Sequence, residues 1–302
     1  MSVGRPNTGY LVNGVRMPND PDWVLTVPGH SYGTTESVDQ LKHCLHRVHQ
    51  LFPGSPPVML GSISAEHGGK LPPHKSHRTG RDVDVYFFRS PDAAWNRAAR
   101  KDDLDLPRTW AMLRCFVTET DVDMVLIDHV VQGWLENYAI ESGEPEEWVR
   151  SLFHDKPGSS MAPVRHVPGH VAHMHVRFVS PNARRQAVAH YDQLLASGVV
   201  GQDQKAVQHT VAKGDTLIGL AKRYAISVET IRSMNRLTGA TIRVGQVLTL
   251  QQAVDLEGAR EGVWMPPRKL PHKGPAPAVE PGPLDAVSLH VDDEATSDHT
   301  GT

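Results

Sequence analysis

The chain has 302 residues, enough for one sizeable domain and a smaller one. Its 31 Lys and Arg residues against 34 Asp and Glu residues give a net charge of −3, which is unlike the basic surface of a nucleic-acid-binding protein. No apolar run approaches the ~20 residues that a membrane-spanning helix needs. We therefore expect neither nucleic acid as a partner nor a membrane span.

Residues 1–200 are interpreted as one α+β domain. The first residues, Met-Ser-Val-Gly-Arg-Pro-Asn, show no basic segment followed by an apolar one, so no ordinary secretion signal is visible. Apolar residues at helical spacing predict a helix from Ser37 to Phe52, and Val58 to Ile63 is typical of a strand. Asp105 as cap and Pro107 in the first turn predict a second helix, 106–118. A buried strand is predicted at 123–128, and further helices at 129–142, 144–154 and 180–197.

The two cysteines, Cys44 and Cys115, both fall in apolar helical patterns. Two cysteines without CxxC spacing do not form a disulfide framework. The pattern favours buried free thiols, and a single disulfide between them is left open.

Two histidine-rich stretches, about ninety residues apart, carry the chemical signal. They read His74-Lys-Ser-His77-Arg-Thr-Gly-Arg-Asp-Val-Asp84 and His170-Val-Ala-His173-Met-His175-Val-Arg177. Imidazole and carboxylate are the nitrogen and oxygen ligands of a hydrolytic zinc ion, which keeps one position open for water.

Polar and apolar residues alternate after Arg81 and again after Val171, which predicts two strands. Asp82 and Asp84 then share one face of the first strand, and His173, His175 and Arg177 share one face of the second. In one antiparallel sheet, Asp84 and His175 would stand side by side, with His77 reaching in from the preceding loop. Three ligands and a water would complete an open zinc site.

Each motif also has a simpler interpretation when it stands alone. A His-x-His pair is often hydrogen-bonded within a sheet, and an Asp-x-Asp pair is usually a solvated face. The joint occurrence of His-x6-Asp, His-x-His and further histidines favours the metal site. Asp82 is interpreted as a structural carboxylate or as one that orients a ligand.

These motifs, with Gly61-Ser-Ile-Ser64 and Gly68-Gly69, resemble the penicillin-insensitive murein endopeptidases, and the resemblance covers most of residues 8–180. It implies zinc ligands at His77, Asp84 and His175, and further active-site histidines at 74, 170 and 173. It also implies that the substrate is the D-alanyl to meso-diaminopimelyl cross-link between peptidoglycan stems. Val171 and Ala172 depart from the polar residues expected between Gly169 and His173.

Mechanistic roles follow as hypotheses. His173, on the ligand face but not itself a ligand, is the first candidate for general base. His170 or His74 would stabilise the oxyanion or protonate the leaving amine. Arg177 has two equally weighted interpretations, which are a partner for a stem-peptide carboxylate and a structural salt bridge.

A second resemblance begins after a short polar linker, 201–207. Residues 208–251, from His209-Thr-Val-Ala-Lys-Gly-Asp-Thr-Leu217 to Ile242-Arg-Val-Gly-Gln-Val-Leu-Thr-Leu250, resemble a LysM domain, and the pattern predicts a small βααβ unit with Val211 in its first strand. LysM domains bind glycans that contain N-acetylglucosamine. The resemblance implies contacts at Gly214, Asp215, Thr216, Leu217, Asn235, Leu237 and Thr238. Individually, Asp215 is also interpretable as a helix cap, and Asn235 as a helix terminator.

The tail, 252–302, is predicted to be mostly disordered, because from residue 266 onward it is rich in Pro, Gly and acidic residues and has few large apolar ones. The leading hypothesis is a zinc peptidoglycan endopeptidase of the periplasm or cell envelope, held to the wall by its LysM domain. A D,D-carboxypeptidase or an L-Ala–D-Glu endopeptidase would keep the chemistry and change the bond. A non-catalytic wall-binding protein would carry a closed, structural metal site in which His74 or His173 is a fourth ligand.

Overall fold

A computed structural model describes residues 1–154, 162–202 and 204–253 of the chain. The predicted α+β class is confirmed for these residues. The described helices are α1 Thr35–Leu51, α2 Leu106–Glu119, α3 His129–Glu141, α4 Glu146–Phe153, α5 Pro181–Ala196, α6 Leu217–Tyr224 and α7 Val228–Asn235. The described strands are β1 Ser2–Val3, β2 Tyr10–Leu11, β3 Val15–Arg16, β4 Trp23–Leu25, β5 Tyr32–Gly33, β6 Val58–Leu60, β7 Asp82–Tyr86, β8 Val122–Ile127, β9 Val164–His166, β10 His173–Phe178, β11 Gln204–Thr210 and β12 Val247–Ala253.

A six-stranded sheet organises the larger region, with strand order β4-β6-β7-β10-β8-β9. Its central strands pair antiparallel, as the alternating motifs predict. The outer pairs β4–β6 and β8–β9 are parallel, which the alternation does not predict. The motif strands β7 and β10 therefore lie side by side in the middle of the sheet.

The two faces of this sheet differ in chemistry. Apolar residues of β7, β8 and β10, such as Val83, Val125 and Met174, join the main hydrophobic core with α1, α2, α3 and α4. The opposite face carries the alternate residues of the same strands, including Asp84 and His175. Burying one face fixes the register of each strand, because a shift by one residue would exchange the two faces.

Side-chain caps begin the first two helices, and one of these caps was predicted. The Thr34 side chain accepts a hydrogen bond from the Ser37 amide at the start of α1. Asp105 caps α2 through the Arg108 amide, as predicted. The helix predicted from Ser37 begins two residues earlier, and the strand predicted for Val58 to Ile63 ends at Leu60.

The cysteine prediction is wrong in its preferred form. Cys44 on α1 and Cys115 on α2 form a disulfide, with a sulfur–sulfur distance of 2.12 Å. Both residues are buried where α1 and α2 pack together. The helical spacing identified two apolar faces, but it carried no signal that these faces meet.

The C-terminal unit has the predicted βααβ order, with β11 and β12 pairing antiparallel around α6 and α7. It has its own hydrophobic cluster, which includes Leu220, Ile231 and Leu250. Val211, predicted in the first strand, lies one residue beyond the end of β11 and is buried in that cluster. The predicted tail begins within the last two residues of β12, and from 254 onward it lies outside the described residues.

None of the helices in the described ranges is both long enough and apolar enough to cross a membrane.

Candidate metal centre

The strand register brings the two histidine motifs together. His175 on β10 is directly opposite Asp84 on β7, and Arg177 is opposite Asp82. His77 enters from the loop before β7, with its backbone in the left-handed region at φ 64°. The tight bend predicted at Gly80 is present at φ 70°, and a Cβ there would lie 3.0 Å from the Gly33 backbone.

Three side-chain atoms converge at this point. His77 Nε2 lies 3.1 Å from His175 Nδ1 and 3.3 Å from Asp84 Oδ1, and His175 Nδ1 lies 3.1 Å from the same carboxylate oxygen. The three side chains are almost fully buried. Tetrahedral zinc with bonds of ~2.0–2.1 Å separates its ligands by about 3.3 Å, so the spacing fits such an ion.

Hydrogen bonds on the far side of each ring decide which nitrogen faces the centre. His77 Nδ1 lies 3.1 Å from the Ile63 carbonyl oxygen, which only accepts, so Nδ1 carries the proton and Nε2 presents its lone pair. His175 Nε2 lies 3.1 Å from the Asp82 carboxylate and donates to it, which leaves the lone pair of the neutral ring on Nδ1. When both rings are neutral, two imidazole lone pairs and a carboxylate oxygen therefore face one another.

Such an arrangement requires a positive charge between the three atoms. Burial alone lowers the pKa of His175, but its hydrogen bonds to Asp82 and Asp84 raise that pKa to about 9. The carboxylates therefore favour a cation at this point. A proton on His175 Nδ1 can be donated well to only one acceptor, whereas a divalent ion can bind all three atoms. The donor set thus fits a zinc ion.

Asp82 connects the centre to the rest of the sheet. Its fully buried carboxylate accepts hydrogen bonds from His175 Nε2, from Arg177 Nε and from the His77 amide at 3.2 Å. Burial acts to raise the pKa of Asp82, but the bond from His175 and the charge of Arg177 outweigh it and hold that pKa below its usual range. Of the two interpretations of Arg177, the structure contains the salt bridge.

The other predicted histidines surround the same centre. His74 Nδ1 lies 3.7 Å from Asp84 Oδ2, and His173 Nε2 lies 3.6 Å from Asp84 Oδ1. The His170 ring stands 5.2 Å from that of His173, centroid to centroid. Burial lowers the pKa of all three, that of His173 to about 4, so these rings are neutral at pH 7.

Sequence reasoning missed an aromatic wall beside His173. The Tyr86 ring lies 5.3 Å from the His173 ring and 4.7 Å from the Trp95 ring. Tyr86 follows Asp82 and Asp84 on the same strand face, so the alternation already contained this signal. Trp95 lies in a loop with no periodic pattern, and nothing in the sequence pointed to it.

The predicted glycan-binding residues are mostly engaged within the C-terminal unit. Asp215 accepts hydrogen bonds from the Ala212 amide and from His209, and Thr216 caps α6. The Asn235 side-chain amide donates hydrogen bonds to the carbonyl oxygens of Ile231 and Thr249, and its oxygen accepts one from the Thr249 backbone amide. Gly214 adopts φ 94°, a conformation that favours glycine. These contacts give Asp215, Thr216 and Asn235 structural roles, and their predicted contacts with sugar stay predictions.

Comparison with known proteins is consistent with this two-part organisation. Residues 2–143 match the family described as penicillin-insensitive murein endopeptidase, and residues 209–251 match the LysM domain. The chain is thus similar to that endopeptidase family over its first half and to LysM domains near its C-terminal end, and both predicted resemblances are confirmed. The residues matched to the endopeptidase family include His77 and Asp84. His175 lies outside the matched range, and the pairing of β10 with β7 brings it to the same site.

Curated relatives named penicillin-insensitive murein endopeptidase include proteins from two genera. The protein from Salmonella arizonae is 26% identical over 200 residues, and the protein from Klebsiella pneumoniae subsp. pneumoniae is 23% identical over 206 residues. Each alignment covers 60% of this chain and 66% of the relative.

Proposed function

We propose that this protein is a zinc-dependent peptidoglycan hydrolase that cleaves the D-alanyl to meso-diaminopimelyl cross-link and is held to the wall by its LysM domain. The names of the relatives support a peptidase that acts on murein. The single observation that carries the proposal is the convergence of His77 Nε2, His175 Nδ1 and Asp84 Oδ1. That donor set suits a hydrolytic metal ion.

In this proposal His77, Asp84 and His175 hold the ion. When bound, zinc supplies a Lewis acid that polarises the amide carbonyl and makes water more acidic. Asp82 and Ile63 keep the two imidazole rings in the tautomers that expose a lone pair to the centre.

The remaining histidines move protons and stabilise charge. His173 is the proposed general base, because its Nε2 lies beside Asp84 on the ligand face. It accepts a proton from the attacking water and passes it on as the amide C–N bond breaks, so that the acyl carbon gains the hydroxyl and the leaving amine gains the proton. His74 and His170 flank the reaction centre and are proposed to stabilise the developing oxyanion.

The LysM domain is proposed to bind the glycan strands, with contacts at Gly214, Asp215, Thr216 and Asn235. Binding would raise the local concentration of the catalytic region at the wall without any new contact at the active site. The periplasm or cell envelope is the proposed location. The Cys44–Cys115 disulfide supports it, because disulfides persist mainly in oxidising compartments.

The direct test replaces His77 with Ala. The wild-type chain is expected to bind one zinc ion and to convert a cross-linked muropeptide dimer into monomers, with fragment masses that identify the bond. His77→Ala is expected to lose both properties, because it removes a nearly fully buried ligand. His190→Ala, an exposed histidine on α5, is the matched control and should keep both. A fully active, metal-loaded His77→Ala variant would refute the proposal.

A structural, non-catalytic metal is the second candidate, and the position of His74 favours it. His74, His77 and Asp84 form a group that could hold an ion by themselves. If His74 is a fourth ligand, the site has no open position for water. Zinc affinity of His74→Ala distinguishes the two candidates. An unchanged affinity supports the open, catalytic site, and a large loss together with an inactive wild type supports the closed one.

A further inference from the structure

The candidate metal centre belongs to a row of side chains that crosses four strands of the sheet. Asp84 on β7 pairs with His175 on β10, His175 pairs with Leu126 on β8, and Leu126 pairs with Arg165 on β9. Directly paired residues point to the same face of a sheet. Arg165 therefore lies on the face of the metal centre, two strand spacings or about 10 Å of backbone from His175.

This part of the sheet face is open. Leu126 and Arg165 are half-buried, whereas their chain neighbours Val125, Ile127 and Val164 are buried on the opposite face. A substrate bound at the metal centre can therefore extend along the row toward the β9 edge. The polar end of that path is the Arg165 guanidinium.

Arg165 has no anionic partner in the part of the chain that the structure describes. Its Nε donates to the Ala162 carbonyl at 3.1 Å, and its Nη1 lies 3.8 Å from the Met124 sulfur. Arg177 contacts the same sulfur at 3.9 Å, but Asp82 neutralises its charge. Among the described residues, Arg165 therefore keeps an uncompensated positive charge on this face, and both of its contacts are with neutral groups.

We infer that Arg165 binds a carboxylate of the substrate, and this inference rests on the proposed cleavage of peptidoglycan. Guanidinium binds carboxylate through paired hydrogen bonds of fixed geometry. An extended peptide covers ~3.3–3.6 Å per residue, so the carboxylate would lie two or three residues from the hydrolysed bond. The carboxylate-binding role considered for Arg177 is thus assigned to Arg165, whose charge is free to take it.

The kinetic test compares two substrates and three variants. The substrates are a cross-linked muropeptide dimer and the same dimer with its carboxylates converted to carboxamides. For the carboxylate dimer, Arg165→Gln is expected to raise KM and to lower kcat/KM by about 10–100-fold with little change in kcat. For the amidated dimer, the wild type and Arg165→Gln should have the same low kcat/KM.

Two further variants separate recognition from folding. Arg165→Lys keeps the charge but not the paired geometry, so it should recover part of the loss. Arg185→Gln removes an exposed arginine of α5 that bonds Asn182 of its own helix, and it should match the wild type. If Arg165→Gln lowers kcat/KM equally for both dimers, the residue is structural and the inference is wrong.

A binding experiment keeps this test independent of catalysis. Fluorescence anisotropy measures the affinity of the metal-free full chain for labelled versions of the two dimers. The wild type is expected to prefer the carboxylate dimer by about 10-fold or more, and Arg165→Gln should lose that preference. A wild type that binds with this preference but does not cleave would overturn the proposed function alone. Equal affinity of the wild type for both dimers would overturn the role of Arg165 alone.

Discussion

At the residue scale, the partners behind each side chain determine what the candidate metal centre can bind. The Ile63 carbonyl and the Asp82 carboxylate each engage the outer nitrogen of one imidazole ring, so the inner nitrogens of His77 and His175 present lone pairs. The alternation in the sequence predicted that Asp84 and His175 would be neighbours, and the observed register agrees. The choice of nitrogen was not predictable, because it depends on contacts with residues far away in the chain.

Asp82→Asn tests the positioning role of this carboxylate. Asparagine keeps the size of the side chain but loses the charge and one acceptor, so it cannot serve all three donors that meet at Asp82. We expect the zinc affinity to fall by ~10–100-fold, since groups that orient a ligand contribute this much. Competition with a chromogenic chelator measures the affinity.

Asp39→Asn, an exposed carboxylate on α1, is the matched control for that change. Near-ultraviolet circular dichroism establishes that both variants are folded. A folded Asp82→Asn protein with the zinc affinity of the wild type would show that Asp82 has no positioning role.

At the element scale, the sequence predicted the secondary structure of each segment better than the elements against which that segment packs. The apolar stripes and the predicted cap at Asp105 located α1 and α2 to within two residues, whereas the Thr34 cap of α1 was not predicted. The parallel pairing of β9 with β8 was not visible, since it depends on which edge of the sheet is free. The disulfide was missed for the same reason. Cys44 and Cys115 each lie on an apolar helix face, but the sequence pattern does not show that these two faces pack together.

Replacing both cysteines with alanine tests the contribution of the disulfide to stability. The bond joins residues separated by 71 positions, so it restricts the unfolded chain substantially. We expect the free energy of unfolding to fall by about 2–4 kcal/mol. Tryptophan fluorescence during urea unfolding reports mainly on the larger region, because five of the six tryptophans precede residue 200 and residues 209–251 contain none.

The wild type in a reductant serves as the control for the alanine variant. Reduction should lower the stability of the wild type by a similar amount and leave the double variant unchanged. If the reductant leaves the wild-type unfolding curve unaffected, the disulfide makes no such contribution.

At the scale of the whole molecule, the C-terminal unit has a hydrophobic cluster of its own, separate from the main core of the larger region. The core beneath the candidate metal centre includes Leu45 and Phe116, whereas the C-terminal unit packs around residues such as Leu220 and Ile231. The change in sequence pattern near residue 200 predicted this division. The LysM resemblance itself is confirmed, and it was recognisable because such a unit is short and its signals are local.

Ile231→Asp is expected to uncouple wall binding from cleavage. It places a charge in the core of the C-terminal unit, where Ile231 is fully buried, and should unfold that unit. Sedimentation with purified sacculi should show loss of binding, while the cleavage of a soluble muropeptide dimer should stay within about twofold of the wild type. Glu229→Gln, at an exposed position of α7, is the control. Sacculus binding that survives in Ile231→Asp would contradict the tethering role.

The most direct measurement for the central claim is anomalous diffraction at the zinc edge from crystals of the zinc-loaded protein. We predict one ion at ~2.0–2.2 Å from His77 Nε2, His175 Nδ1 and an oxygen of Asp84, with the fourth position held by solvent. An ion bound elsewhere, or one bound by His74 while His175 stays unliganded, would contradict it.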